Sequence, residues 1–285
     1  MSKHSHAAIR SIFAGIVLEH LVALRDVLGK LAAPRPTDED LHQFRVTLRR
    51  LRSAWVTFAQ VLPKSFEAEW KPRLRNLAAS TGPVREWDVL LLDWLPKAGA
   101  SLPADDEAHA WVKLATSRAR AARGRAWRAL RAELASPAVM EALTGLERAV
   151  AEFRVDVESV PYADFALARA AALRKVLLRR GRRPKRAPPE RLHRARIAAK
   201  QWRYLYEAFY PALGVTAPKR RYMHLRKLQE ALGEVHDADI SLARAQDVAP
   251  EAPPASIVNA FHIRATAARG CAARELRWIR SHRAA

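Results

Sequence analysis

The chain has 285 residues, 49% of them hydrophobic and 28% charged, a composition that can bury a core and is unlike that of disordered chains. Its 50 Lys and Arg outnumber 29 Asp and Glu, and the resulting net charge of +21 points to a polyanionic partner: nucleic acid, an anionic membrane or a polymer of phosphates. The single cysteine, Cys271, excludes an intrachain disulfide and a cysteine-cluster metal site, and it suits a reducing cytoplasm.

The predicted elements are all helices. Ten glycines and 17 prolines punctuate stretches rich in Ala, Leu and Arg, and no stretch alternates as a half-buried strand would. Helices are expected over 7–32, 38–62, 65–97 with a bend near Gly82-Pro83, 105–134, 138–158, 163–182, 189–210, 217–247 and 254–283. The apolar run Ile12–Leu18 leads into Glu19 and His20 and reads as a first helix, not a signal peptide. No run of about 18 apolar residues is found, so no membrane-spanning helix is expected. Thr37 before Asp38 and Pro188-Pro189 before Glu190 are expected helix starts. His4 and His6 are read as part of a disordered end.

The chain repeats itself. At one ungapped offset of 151, Leu41-His42 falls on Leu192-His193, Arg45 on Arg196, Arg49 on Lys200, Arg52 on Arg203 and Phe58 on Phe209. The same offset brings Arg75 onto Arg226, Gly82 onto Gly233, Arg85 onto His236, Asp88 onto Asp239, Arg118 onto Arg269, Arg123 onto Arg274 and Trp127 onto Trp278. A tandem duplication of a helical unit of roughly 130 residues follows. The first repeat with a bridging helix occupies 1–158 and the second 159–285.

Each copy carries a stripe of cations. At 100° per residue, His42, Arg45, Arg49 and Arg52 share a sector about 80° wide, beside an apolar stripe of Phe44, Leu48, Leu51, Trp55 and Phe58. His193, Arg196, Lys200 and Arg203 repeat the pattern beside Trp202, Tyr206 and Phe209. A merely solvated face would mix signs to gain i,i+4 pairs; like charges held in place in both copies repel, and a bound anion would relieve them. The aromatics lie towards the core, so the stripes suit phosphate oxygens better than bases. Glu207, one turn beyond Arg203, is read as orienting it.

The second block adds Arg75 and Arg226, and Arg85 and His236, as candidate ligands, with Asp88 and Asp239 as structural partners for a cation or a cap. Arg118, Arg123, Arg269 and Arg274 serve either ligand or structure, and Arg123 is placed to stack on Trp127. Residues 179–203 hold eleven Lys and Arg against Glu190 alone, and the loop 182–186 is either an electrostatic lure or a solvated linker.

Two segments carry a resemblance. His193-x-x-Arg196-Ile197-x-x-Lys200-Gln201-x-Arg203-Tyr204-x-x-Glu207 and Leu232-Gly233-x-x-x-Asp237-x-Asp239-Ile240 resemble the signature of the CHAD family, the conserved histidine α-helical domain. The first copy matches through His42-x-x-Arg45-Val46-x-x-Arg49-Arg50-x-Arg52 and Arg85-Glu86-Trp87-Asp88-Val89. It departs at Gln201, where the family often has a cation, and at His236, where Arg is common. The resemblance implies two tandem four-helix bundles related by a pseudo-two-fold axis with a basic central groove or channel. It also implies binding of inorganic polyphosphate and, in some members, association with polyphosphate granules. CHAD domains are often fused to CYTH-type triphosphatases, whose Glu-x-Glu-x-Lys mark has a counterpart in Glu67-Ala68-Glu69-Trp70-Lys71. On a helix these three side chains do not share a face, so no catalysis is expected from them. The expectation is a cytoplasmic, non-enzymatic polyphosphate-binding protein without metal, cofactor or membrane; the alternative is a non-specific nucleic-acid binder.

Overall fold

A computed structural model describes residues 3–102, 106–154, 162–249 and 251–282. Helices α1 (Lys3–Ala32), α2 (Asp38–Phe58), α3 (Lys64–Ser80), α4 (Gly82–Val89), α5 (Leu95–Ala100), α6 (Asp106–Leu134), α7 (Pro137–Ala151), α8 (Ala163–Arg180), α9 (Pro189–Tyr204), α10 (Lys219–Val248) and α11 (Ala255–Ser281) account for nearly all of them, and no strand occurs among the described residues. The fold is all-α, as the sequence implied. Residue 105, residues 155–158 and residue 283, the expected ends of three helices, lie outside the described residues, as does the expected junction of the repeats at 158–159.

Local signals set several boundaries. Thr37 caps α2 in a capping box: its Oγ1 accepts from the Asp40 amide at 3.1 Å, and Asp40 Oδ2 accepts from the Thr37 amide at 2.7 Å. Asp38, Glu39 and Asp40 crowd the same first turn, where the helix dipole favours negative charge. The bend expected near Gly82-Pro83 is a break at Thr81, between α3 and α4. Two π-helical turns were not expected: Leu90–Trp94 joins α4 to α5, and Leu205–Phe209 extends α9. Each ends two residues before a proline, Pro96 or Pro211, whose missing N–H and ring prevent a regular i→i−4 ladder from continuing. His6, read as part of a disordered end, lies in α1.

The chain forms two compact units, and these are not the two sequence repeats. One unit comprises 1–81, 129–170 and 203–217; the other comprises 82–128, 171–202 and 218–285. Each therefore draws segments from both copies of the repeat.

In the first unit an aromatic cluster fills the core. Phe13 of α1 meets Trp55 edge-on at 5.1 Å, Trp55 stacks on Phe66 at 5.6 Å, and Phe58 contacts both Phe165 and Phe209. Helix α1 corrects one expectation. Within His6–Ala32 an 18-residue window reaches a mean hydropathy of 1.7, and the helix is long and apolar enough to cross a membrane. Its apolar face, with Ile9, Phe13, Val17, Leu21 and Leu24 fully buried, instead packs within this unit, against α2 and α7.

In the second unit α10 packs along α11, and Trp94 meets Phe261 at 4.8 Å. Helix α6 contributes bulky Trp111 and, at helical spacing along the same face, the small residues Ala115, Ala119 and Ala122 to this core. Long-range ion pairs join the two sequence copies inside the unit: Arg244 binds Glu86 at 2.6 Å and Arg264 binds Asp93, while Arg264 also binds Glu234 of its own copy at 2.6 Å.

Candidate anion-binding site

The stripe of α2 lies in the first unit. His42, Arg52 and Arg75 are exposed, whereas Arg45 and Arg49 are half-buried. Arg45 Nη1 donates to the carbonyl and the hydroxyl of buried Thr81, each at 2.7 Å, so this guanidinium also holds the C-terminal end of α3. Arg49 lies over the ring of Tyr204 at 5.3 Å, and Arg203 lies over the same ring at 5.1 Å. Burial lowers the Arg49 pKa; Tyr204 and Glu207 oppose the shift, and the charges of Arg203 and Arg50 add to it. The Nε–H of Arg49 is buried with no protein acceptor. Crowding by protein and then the Arg75 charge lower the Arg52 pKa. Arg203 ends the second copy's stripe, so one unit gathers cations from both copies.

The second unit does the same with the rest. His193, Arg196 and Lys200 lie half-buried on α9, His236 half-buried and Arg226 exposed on α10, and Arg85 exposed on α4. Arg196, Arg85 and Lys200 all act on the carboxylate of Asp237, whose pKa is nevertheless raised by burial. Arg85, from the first copy, thus shares an electrostatic neighbourhood with the second copy's stripe.

The two histidines here form a pair. His193 Nδ1 and His236 Nδ1 are 3.3 Å apart, with ring centroids 4.5 Å apart. Two imidazole nitrogens at that distance share one proton, so one ring donates and the other accepts, and their tautomers are complementary. Burial, then Arg196 and Lys200, lower the His193 pKa; burial, then Arg196, His193 and Lys200, lower His236 to about 3. With both values held below the ordinary 6.5, the rings are neutral at pH 7 in the ligand-free protein.

Acids temper the stripes. Asp237 lies 3.7 Å from Arg196, Glu207 3.6 Å from Arg203, as expected of an orienting residue, and Glu230 3.3 Å from Arg226. A cavity of about 780 Å³ that the His pair helps to line also carries Glu86, Glu190, Asp239 and Asp247 with Arg194 and Arg244, so a polyanion would approach the pair from its Arg196 and Lys200 side.

The third block serves the protein's own structure. Arg123 binds Asp88 at 2.5 Å and lies over Trp127 at 5.7 Å, Arg118 donates to the Val248 carbonyl at 3.2 Å, and Arg269 donates to the carbonyls of Pro184 and Ala187. Their guanidiniums brace helices and loops, the structural one of the two roles the sequence left open; Arg274 is exposed. Asp88 is buried with its cation, but its counterpart Asp239 is exposed, so the two copies have diverged here. The decoy residues Glu67, Glu69 and Lys71 lie on α3, with Lys71 3.7 Å from Glu67 and Glu69 3.5 Å from Arg73. Tyr204 was not expected to matter: it is 2% exposed, and its ring carries two guanidiniums. Its place directly after Arg203 was the available signal.

Among solved structures, the crystal structure of the CHAD domain from the plant Ricinus communis is 28% identical, with a TM-score of 0.65 over 96% of this chain and 91% of that one. PptA from Streptomyces chartreusis, at 16% identity, shares the fold with a TM-score of 0.66 over 96% of this chain and 99% of that one. No curated protein sequence matches the chain. The profile of the CHAD domain matches residues 16–246, and with that match over most of its length the chain belongs to the CHAD domain family.

Proposed function

We propose that the protein binds inorganic polyphosphate without catalysis, through His42, Arg45, Arg49, Arg52, Arg75 and Arg203 in one unit and Arg85, His193, Arg196, Lys200, Arg226 and His236 in the other. The observation that carries this reading is Arg49. It is half-buried beside Arg203 and Arg50, its charge is disfavoured by burial and by those neighbours, and its Nε–H lacks a protein acceptor. A buried unpaired N–H costs about 1–3 kcal/mol, which an anionic oxygen would offset while relieving the repulsion. Tyr204, the ring that Arg49 and Arg203 lie over, is buried and offers no face to a base, which favours phosphate over nucleic acid. Release of counterions from the polymer would drive association. On this reading the protein works in the cytoplasm, at polyphosphate granules, with no metal or cofactor and no membrane.

Competition at fixed salt tests the reading. Long-chain polyphosphate should stay bound when duplex DNA or RNA is added at equal phosphate concentration, and H42Q/R49Q/R52Q should weaken its binding at least tenfold. Displacement by either nucleic acid, or unchanged binding by the triple variant, would overturn the assignment. Incubation with Mg²⁺ or Mn²⁺ should release no phosphate.

A further inference from the structure

The loop 182–186, open in the sequence between a lure and a linker, is a built structure. Pro184–Arg186 forms a 3-10 turn, and Arg269 of α11 donates to the carbonyls on either side of it, Pro184 at 3.2 Å and Ala187 at 2.8 Å. Arg191 donates to the Arg182 carbonyl at 3.0 Å. Gly181 lets the loop start close against α11: a Cβ there would meet the Leu276 methyls at 2.8 and 2.9 Å. Arg183 stands at φ 49, ψ 58, the one non-glycine residue with positive φ among the described residues. Left-handed backbone is disfavoured for arginine, so the pinned loop holds Arg183 there against its intrinsic preference.

Two adjoining cavities open at this loop, of about 460 and 490 Å³, sharing Arg183 and Arg280. Lys185, Arg186 and Arg277 line the first, and Arg179 and Arg182 the second. Neither lining contains a carboxylate or an aromatic ring; the floor is Leu178, Ala273, Leu276 and the arginine stems. Forked guanidiniums without a competing acid suit linked phosphoryl groups, and the lack of an aromatic gives a base nothing to stack on.

We infer that these cavities form a second anion site, separate from the histidine-bearing stripes, that takes a short run of linked phosphoryl groups. Arg183, Arg186 and Arg280 contact the phosphoryl oxygens. The chemistry is the same whether the run is free tripolyphosphate or the tail of a nucleoside triphosphate, and the site reads only the phosphates.

Calorimetric titration of the full chain at fixed salt tests this, with tripolyphosphate and ATP as probes. The stripe variant H42Q/R49Q/R52Q should keep a tripolyphosphate site, and adding R183Q/R186Q/R280Q to it should weaken that site at least tenfold. ATP binding within a few-fold of tripolyphosphate assigns the nucleotide tail as an acceptable source; binding only of tripolyphosphate restricts the site to free oligophosphate. The single variant R183G accepts the left-handed backbone without strain, so it should melt no lower than the native chain yet bind tripolyphosphate more weakly. Unchanged binding by R183G, or by the loop-neutralised chain, would overturn the second site without touching the stripe proposal. Loss of binding by the stripe variant alone would show that the loop holds no site of its own.

Discussion

At His236, burial decides the charge. Its ring lies against His193 and near Arg196 and Lys200, and its pKa falls to about 3, against an ordinary histidine value of 6.5. The unfolded chain therefore binds this proton more readily than the folded one. Stability is complete above about pH 6.5 and falls as the pH drops from there towards 3, by up to about 1.4 kcal/mol per pH unit for one proton. In H236Q that slope should flatten, as measured by urea unfolding at pH 7, 6 and 5; an unchanged slope would show that His236 does not carry it. A bound polyanion acts in the opposite sense, favouring the protonated pair, so affinity should rise as the pH is lowered. The stripe itself was legible because His193, Arg196, Lys200 and Arg203 repeat within one helix, a local regularity. The pairing was not, because His193 and His236 sit on α9 and α10 and meet through packing. Asp88 shows the same limit: the sequence offered Arg85, three residues away, as its cation, and the fold supplied Arg123 from another helix.

Helix α2 carries the first stripe, and its start is held by a local device. The Thr37–Asp40 capping box satisfies two amides at the end where Asp38, Glu39 and Asp40 gather. T37A should cost about 1 kcal/mol of stability, read from chemical unfolding, while leaving the anion affinity of the folded protein unchanged, since His42 lies beyond the first turn. A loss of affinity without a loss of stability would mean that the cap takes part in binding. Caps, prolines and apolar periodicity are chain-local, so Thr37 and Pro189 were legible as helix starts and α10 was foreseen within two residues at each end. The π turns at 90–94 and 205–209 were not. Pro96 and Pro211 announced an interruption, but a proline alone does not say whether the helix stops, kinks or widens; Pro72 sits inside α3 with no such turn.

Across the whole chain, the repeat seen in the sequence and the compact units of the structure divide the residues differently, and the difference bears on binding. Arg203 joins Arg49 in one unit, and Arg85 acts on Asp237 with Arg196 and Lys200 in the other, so in both units like charges from distant parts of the chain are brought together. A net charge of +21 would attract any polyanion without such gathering, and the two causes are separable by salt. Each cation that neutralises a phosphate adds about 0.7–0.9 to the slope of log affinity against log salt. R52Q/R75Q removes two exposed cations of the proposed site, and K30Q/K64Q removes two exposed charges that sit beside Asp26 and Glu67. If the stripes hold the polymer, the first pair should reduce the slope for polyphosphate by about 1.5 and the second should leave it nearly unchanged. Equal reductions would show that total charge, and not the gathered cations, governs the interaction.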